Sequence, residues 1–148
     1  MSTGSRKLPF RLSRYKFIDV LGKGTQGAVY LAELEAELGF RRKVAIKIVG
    51  AGTGGADRAV KSLANEARAL AAAHHPSVVG VYDLAHVEGQ YLLVMEYVEG
   101  PTLSEAIRYT ASGGRALAVG DTLRIAEQLA DGLACVHALT DHRGEPAP

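Results

Sequence analysis

"LGKGTQGAVY", residues 21–30, sets Gly22, Gly24 and Gly27 in the spacing G-x-G-x-x-G. Before it, residues 15–20 (YKFIDV) are aromatic and β-branched and read as a strand. After it, Ala28-Val29-Tyr30-Leu31 reads as a second strand. The glycines therefore lie between two strands, not ahead of a helix. A glycine-rich turn between antiparallel strands can lay backbone N–H groups over phosphates with no side chain intervening. It is not a P-loop, because Gly27 is followed by Ala-Val and not by Lys-Ser/Thr. An ordinary hairpin turn would have the same spacing, and the chain has 17 glycines, so the surrounding residues must decide.

Working outward, residues 44–49 (VAIKIV) form a short apolar strand with Lys47 inside it. From Ala56 to Ala73 the pattern turns helical. Val60, Leu63, Ala64, Ala67, Leu70 and Ala71 recur at i, i+3, i+4, i+7. Glu66 sits between Leu63 and Leu70 and borders that stripe. A carboxylate there can reach an inward-facing lysine on the third strand, and the pair offsets two costly charges. Taken singly, either residue is an ordinary surface charge.

The Pro of "HHP" at residues 74–76 stops the helix. Residues 78–85 and 90–98 read as strands joined by a turn, and "EGPT" at 99–102 breaks the pattern. Leu103 to Tyr109 is a short helix. A longer one opens with Asp121 as N-cap and runs to about Leu139. That helix is apolar on most sides, through Leu123, Ile125, Ala126, Leu129, Ala130, Leu133 and Val136, so it calls for burial on several faces. A second G-x-G-x-x-G (Gly50, Gly52, Gly55) follows a strand and opens a helix, with Asp83 ending a later strand. That is the context of a dinucleotide-binding fold. It leaves Lys47 unexplained, so a flexible strand-to-helix connection is preferred.

Bulk properties exclude several classes. With 148 residues, 47% apolar and 22% charged, the chain is one domain or part of one. A net charge of +1 gives no nucleic-acid or membrane signal. Arg6, Lys7, Arg11, Arg14 and Lys16 in the first sixteen residues have no acid among them, and residues 1–14 read as a solvated basic tail. No apolar run approaches a membrane span of about 18 residues. A lone Cys135 and no signal-like N-terminus favour a cytoplasmic location. Adjacent His74 and His75 lack the supporting ligands of a metal site, and His86 and His137 have no motif around them.

Together "GKGTQGAVY", "VAIK", "NEARAL", "HHPSVVGVYDL" and "LLVMEYVEGPTL" resemble successive segments of a eukaryotic-like (Hanks-type) protein kinase, best the bacterial serine/threonine type, over about residues 15–148. The resemblance implies an α+β fold. A small lobe of five antiparallel strands and one C-helix, with the hinge, would occupy residues 15–98, and residues 99–148 would begin an incomplete helical large lobe. It implies that Gly22, Gly24 and Gly27 cover ATP, and that Val29 and Ala45 pack on the adenine. Lys47 would hold the α- and β-phosphates with Glu66 as its partner. Met95 matches the gatekeeper, Glu96 and Val98 the hinge whose backbone pairs with the adenine edge, and Thr102 a residue near the ribose.

Two departures stand out. Gln26 takes the place of the aromatic that many members carry at the loop tip, and an extra loop-like "TDHRGEPAP" follows the long helix. In that tail Asp141-His142-Arg143 is D-H-R and not H-R-D, and no asparagine follows, so it reads as a solvated loop. The expectation is therefore truncation before the catalytic loop, with magnesium bound only in a complete kinase and no phosphoryl transfer by this chain alone. The expected partners are an adenine nucleotide and, in the complete enzyme, a protein substrate. A non-catalytic nucleotide-binding or interaction module built on the small lobe is the alternative. A small-molecule phosphotransferase is a weaker third.

Overall fold

In a computed structural model, residues 7–24, 27–50 and 56–139 are described. Their strands are β1 (Phe10–Leu12), β2 (Tyr15–Gly24), β3 (Gly27–Glu35), β4 (Arg41–Gly50), β5 (Val81–Val87) and β6 (Gln90–Glu96). The helices are α1 (Ala56–Ala72), α2 (Leu103–Ser112) and α3 (Val119–His137). All strand pairings are antiparallel, in one six-stranded sheet of order β1-β2-β3-β4-β6-β5.

The two faces of β4 explain the architecture. Side chains alternate along a strand, so Val44, Ile46 and Ile48 face one way and Ala45, Lys47 and Val49 the other. The first set packs with Leu12, Tyr15, Phe17, Ala32, Leu92 and Val94, drawn from both sides of the sheet. The sheet curls around that cluster, and Arg14 reaches Asp83 near the opposite edge at 3.1 Å. The second set packs under α1, where Ala45, Val49, Leu93 and Met95 meet Leu63 and Ala67. Leu63 is 2% exposed, and burying one such side chain is worth about 1.5–3 kcal/mol. The apolar stripe of α1 is thus the face that docks it on the sheet.

Several sequence expectations need correction. The sheet has a sixth strand, β1, inside the stretch assigned to a solvated tail. Leu12 is buried, Phe10 stacks on Phe17 at 4.5 Å, and Arg11 pairs with Glu35 at 2.5 Å. The missing acids are supplied by distant strands. Asp121 is not the N-cap of α3. Ala118 is, without a side-chain cap, and Asp121 lies in the first turn, where a carboxylate still meets the positive helix end. β5 begins at Val81, not Val78, because a turn occupies the residues after Pro76. A single 3-10 turn, Glu37–Gly39, joins β3 to β4 with no signal for it in the sequence pattern.

Of α3's residues only Gly132 is buried, while Leu123, Leu129 and Leu133 are exposed. The burial that its composition calls for is not made by the described residues. Gln26, Gly52, Gly55 and the Asp141-His142-Arg143 run lie outside the described residues.

Candidate nucleotide site

The β2–β3 hairpin brings the glycines together. Gly22 pairs with Val29, Lys23 with Ala28, and Gly24 with Gly27. β2 slips register twice on the way, between Phe17 and Asp19 and between Val20 and Gly22. A Cβ added at Gly22 would meet nothing within 4 Å, so the backbone there borders open space.

Lys47 stands in the middle of β4, opposite Val29 on β3 and Leu93 on β6. Its Nζ donates to Glu66 Oε2 on α1 at 2.5 Å, with the lysine side chain 15% exposed and the glutamate 34%. Two independent periods produce this meeting. Strand alternation turns Lys47 to the α1 side of the sheet, and the helical period sets Glu66 between Leu63 and Leu70. The ion pair holds the ammonium at a fixed point on that face.

Val29, Ala45 and Met95 belong to the same face as Lys47, packed within or against the cluster under α1. The candidate adenine contacts and the lysine thus share one surface. At its border, Glu96 ends β6 and is held twice by Gly80. Its N–H donates to the Gly80 carbonyl at 2.8 Å, and its carboxylate accepts the Gly80 N–H at 3.3 Å. Lys43 on β4 reaches Glu99 at 3.2 Å, tying the strand to the segment beyond. Val98 is exposed.

Thr102 serves as the N-cap of α2. Its hydroxyl accepts the Glu105 N–H at 3.2 Å and its backbone N–H donates to the Glu105 carboxylate at 2.7 Å, a full capping box, with the hydroxyl donating to the same carboxylate at 2.8 Å. Those bonds, first that from Thr102's backbone N–H, hold the Glu105 carboxyl below its ordinary range. The sequence-predicted residues are therefore brought together on one face and its rim, with Thr102 at the start of the next helix. The Gly80 clamp on Glu96 escapes sequence reasoning. No local pattern announces it, because the two residues meet only through the β5–β6 pairing.

The residues present suit an adenine nucleotide. An apolar patch lies beside a tethered ammonium, and Gly22, whose backbone borders open space, pairs with Val29 of the same face. Among the described residues no three His, Cys, Asp or Glu side chains converge. His74 and His75 serve the loop instead. The His74 ring meets the Ala72 carbonyl at 3.2 Å, and His75 Nδ1 accepts the Ser77 N–H at 3.1 Å.

A curled antiparallel sheet with one docked helix, joined by a strand lysine and a helix glutamate, defines the small lobe of a protein kinase. The chain belongs to that family: the family described as "Protein tyrosine and serine/threonine kinase" matches residues 15–141. It is 37% identical over 124 residues to the serine/threonine-protein kinase PrkC of Bacillus subtilis, covering 84% of this chain and 18% of that protein. It is 36% identical to the serine/threonine-protein kinase pkn2 of Myxococcus xanthus, covering 84% of this chain and 14% of that one. A Myxococcus xanthus protein named tyrosine-protein kinase MasK is 30% identical, with 89% of this chain and 20% of that protein covered. Among solved structures, a point mutant of the PknI kinase domain of Mycobacterium tuberculosis is similar with a TM-score of 0.65 and 25% identity, over 93% of this chain and 52% of that one. The chain thus spans less than a quarter of the length of these curated relatives and about half of the solved kinase domain.

Proposed function

We propose that this chain is the ATP-binding portion of a bacterial protein serine/threonine kinase, which in its complete form transfers a phosphoryl group to protein hydroxyls. The observation that carries the proposal is the Lys47–Glu66 ion pair on the face shared by Val29, Ala45 and Met95. Residues 15–98 act as small lobe and hinge, preceded by residues 1–14, of which Phe10–Leu12 already joins the sheet. Residues 99–148 contribute the first large-lobe helices.

Each residue has a distinct task. Lys47 binds the α- and β-phosphates, and Glu66 keeps its ammonium there. The backbone at Gly22, Gly24 and Gly27 approaches the phosphates without side chains between. Val29 and Ala45 exclude water from the adenine faces, and Met95 limits the depth of the cleft. The Glu96 carbonyl and Val98 N–H face the adenine edge. Thr102 lies toward the ribose, with its hydroxyl engaged in the helix cap. ATP, when bound, supplies the γ-phosphoryl group. The described residues gather no set of acidic side chains for magnesium, and none of the 148 residues forms an H-R-D-x-x-x-x-N run. The polypeptide assayed alone is therefore expected to bind nucleotide without transferring phosphate. A cytoplasmic site of action for this portion belongs to the same proposal and rests on the use of ATP and on a lone cysteine, Cys135, left as a free thiol. No helix among the described residues is long and apolar enough to cross a membrane.

Calorimetry with ATP and adenosine tests the assignment. Lys47→Met should weaken ATP binding and leave adenosine binding unchanged, because only ATP carries phosphates. Equal losses for both ligands would remove Lys47 from its proposed role.

A further inference from the structure

Residues Ser77–Gly80 connect two places that are remote in sequence. At one end they carry α3. Gly132, the buried residue of that helix, faces the Ser77–Val78 turn so closely that an added Cβ would lie 3.2 Å from Ser77 Cβ, 3.3 Å from its carbonyl oxygen and 3.6 Å from Val78 Cγ2. Toward the start of α3 the two surfaces part around an open cleft of ≈ 450 Å³ between His75–Ser77 and Ile125, Gln128 and Leu129. The seat of α3 on the loop is therefore narrow, and a side chain at 132 would prise it open.

At the other end, Gly80 grips Glu96 by both of its backbone polar groups. The segment between is held by local bonds and packing. The Ser77 N–H donates to His75 Nδ1, the Val78 N–H donates to the His75 carbonyl at 3.0 Å, and Val79 and Val81 pack against the cluster that contains Leu63 and Met95.

We infer that Gly132 is a positioning residue for the hinge: by seating α3 on Ser77–Val78 it fixes the strut whose far end holds Glu96, and so sets where the Glu96 carbonyl and the Val98 N–H stand for adenine. The inference rests on the nucleotide-binding reading above. It predicts that a substitution on a large-lobe helix, with no contact to nucleotide, changes adenine recognition and leaves phosphate recognition alone.

Two readouts on the 148-residue chain test it. The first needs no ligand. Hydrogen exchange of the Glu96 amide, which is bonded to Gly80, should speed up roughly tenfold in Gly132→Val, the signature of a local opening. Gly132→Ala, which inserts only the one tight Cβ, should show a smaller change of the same sign and guards against a valine variant that does not fold. The second is adenosine affinity, measured well below the melting temperature. Gly132→Val and Glu96→Ala should each weaken it several-fold. Because both act through one strut, the double variant should be no weaker than the poorer single one, whereas Lys47→Met should add independently to the loss of ATP affinity. Glycine variants that lower the melting temperature but leave Glu96 protection and adenosine affinity unchanged would overturn the inference. If the unsubstituted chain fails to bind adenosine, the nucleotide reading falls and the hinge role with it, while Glu96 exchange still decides whether the strut exists.

Discussion

Gly27→Ala should destabilise the small lobe sharply, and the reason is backbone geometry. Gly27 opens β3 at φ 137°, a region that side-chain-bearing residues rarely adopt. An added Cβ would lie 2.4 Å from the Ile48 carbonyl oxygen of β4 and 3.5 Å from its carbon. No rotamer change relieves that contact, because the opposing atoms are main chain. A residue held in such a backbone region costs about 1–3 kcal/mol. Forcing an extra carbon into a packed contact costs about 1–3 kcal/mol more. The sum, about 2–6 kcal/mol, is a large share of a typical margin of about 5–15 kcal/mol. At about 2–4 °C per kcal/mol for a chain of this size, the melting temperature should fall by roughly 5–20 °C. Gly22→Ala is the control, since its Cβ meets nothing within 4 Å. It should melt within about 2 °C of the parent while weakening ATP binding, because the methyl enters the space proposed for phosphates. Thermal melts followed by circular dichroism measure both. A Gly27→Ala melt indistinguishable from the parent, or a larger fall for Gly22→Ala, would refute the reasoning.

Other outcomes follow from the same structure. The Glu105 carboxyl is held below its ordinary range, so its support for α2 is complete above the unfolded value and is lost as pH falls through the folded one. The first turn of α2 should therefore exchange its amides faster in acid, and Glu105→Gln, which keeps an acceptor but no titrating group, should abolish that dependence. Arg14 and Asp83 are both substantially exposed, so Asp83→Ala, which removes this pair and leaves Arg14 on Tyr15, should cost no more than about 1 kcal/mol, and the difference from the parent should shrink at high salt. Leu123, Leu129 and Leu133 present apolar surface on α3. Leu129→Glu with Leu133→Glu should reduce self-association in light scattering, and unchanged association would place the sticky surface elsewhere.

The parts of the fold legible in the sequence are those whose signal is local and periodic. The C-terminal end of α1 is legible to within a residue, because its apolar stripe repeats over about three turns and a proline follows. β4 shows itself by its apolar run, although Arg41, Arg42 and Lys43 hide its solvated first third. β1 is invisible. Three residues are too few to show a period, the neighbouring charges resemble a tail, and what orders them is contact with Phe17, Glu35 and Tyr30 from other strands. The start of α3 misleads for a similar reason. A good capping residue at 121 outweighs an uncapped start at Ala118 that only the fold determines.

The site divides along the same line, and this bears on where sequence reasoning about kinase-like chains is strong. Lys47 and Glu66 are 19 residues apart, yet their meeting follows from the sequence. Each lies on a regular element whose period fixes the face it presents, and the apolar residues on either side say which face is inward. Two short-range rules thus determine one long-range contact. Gly80, Glu96 and Gly132 obey no such rule. Gly80 and Glu96 sit at the ends of elements, where alternation no longer fixes direction, and Gly132 interrupts a helical stripe with the residue least suited, after proline, to a helix. That mismatch is itself the trace of the contact. A glycine in the last turns of an otherwise strong helix, with no turn or positive φ to require it, is accounted for by the Ser77 backbone lying against it. The helix gives up intrinsic stability at this point in exchange for close approach to the loop whose Gly80 holds Glu96.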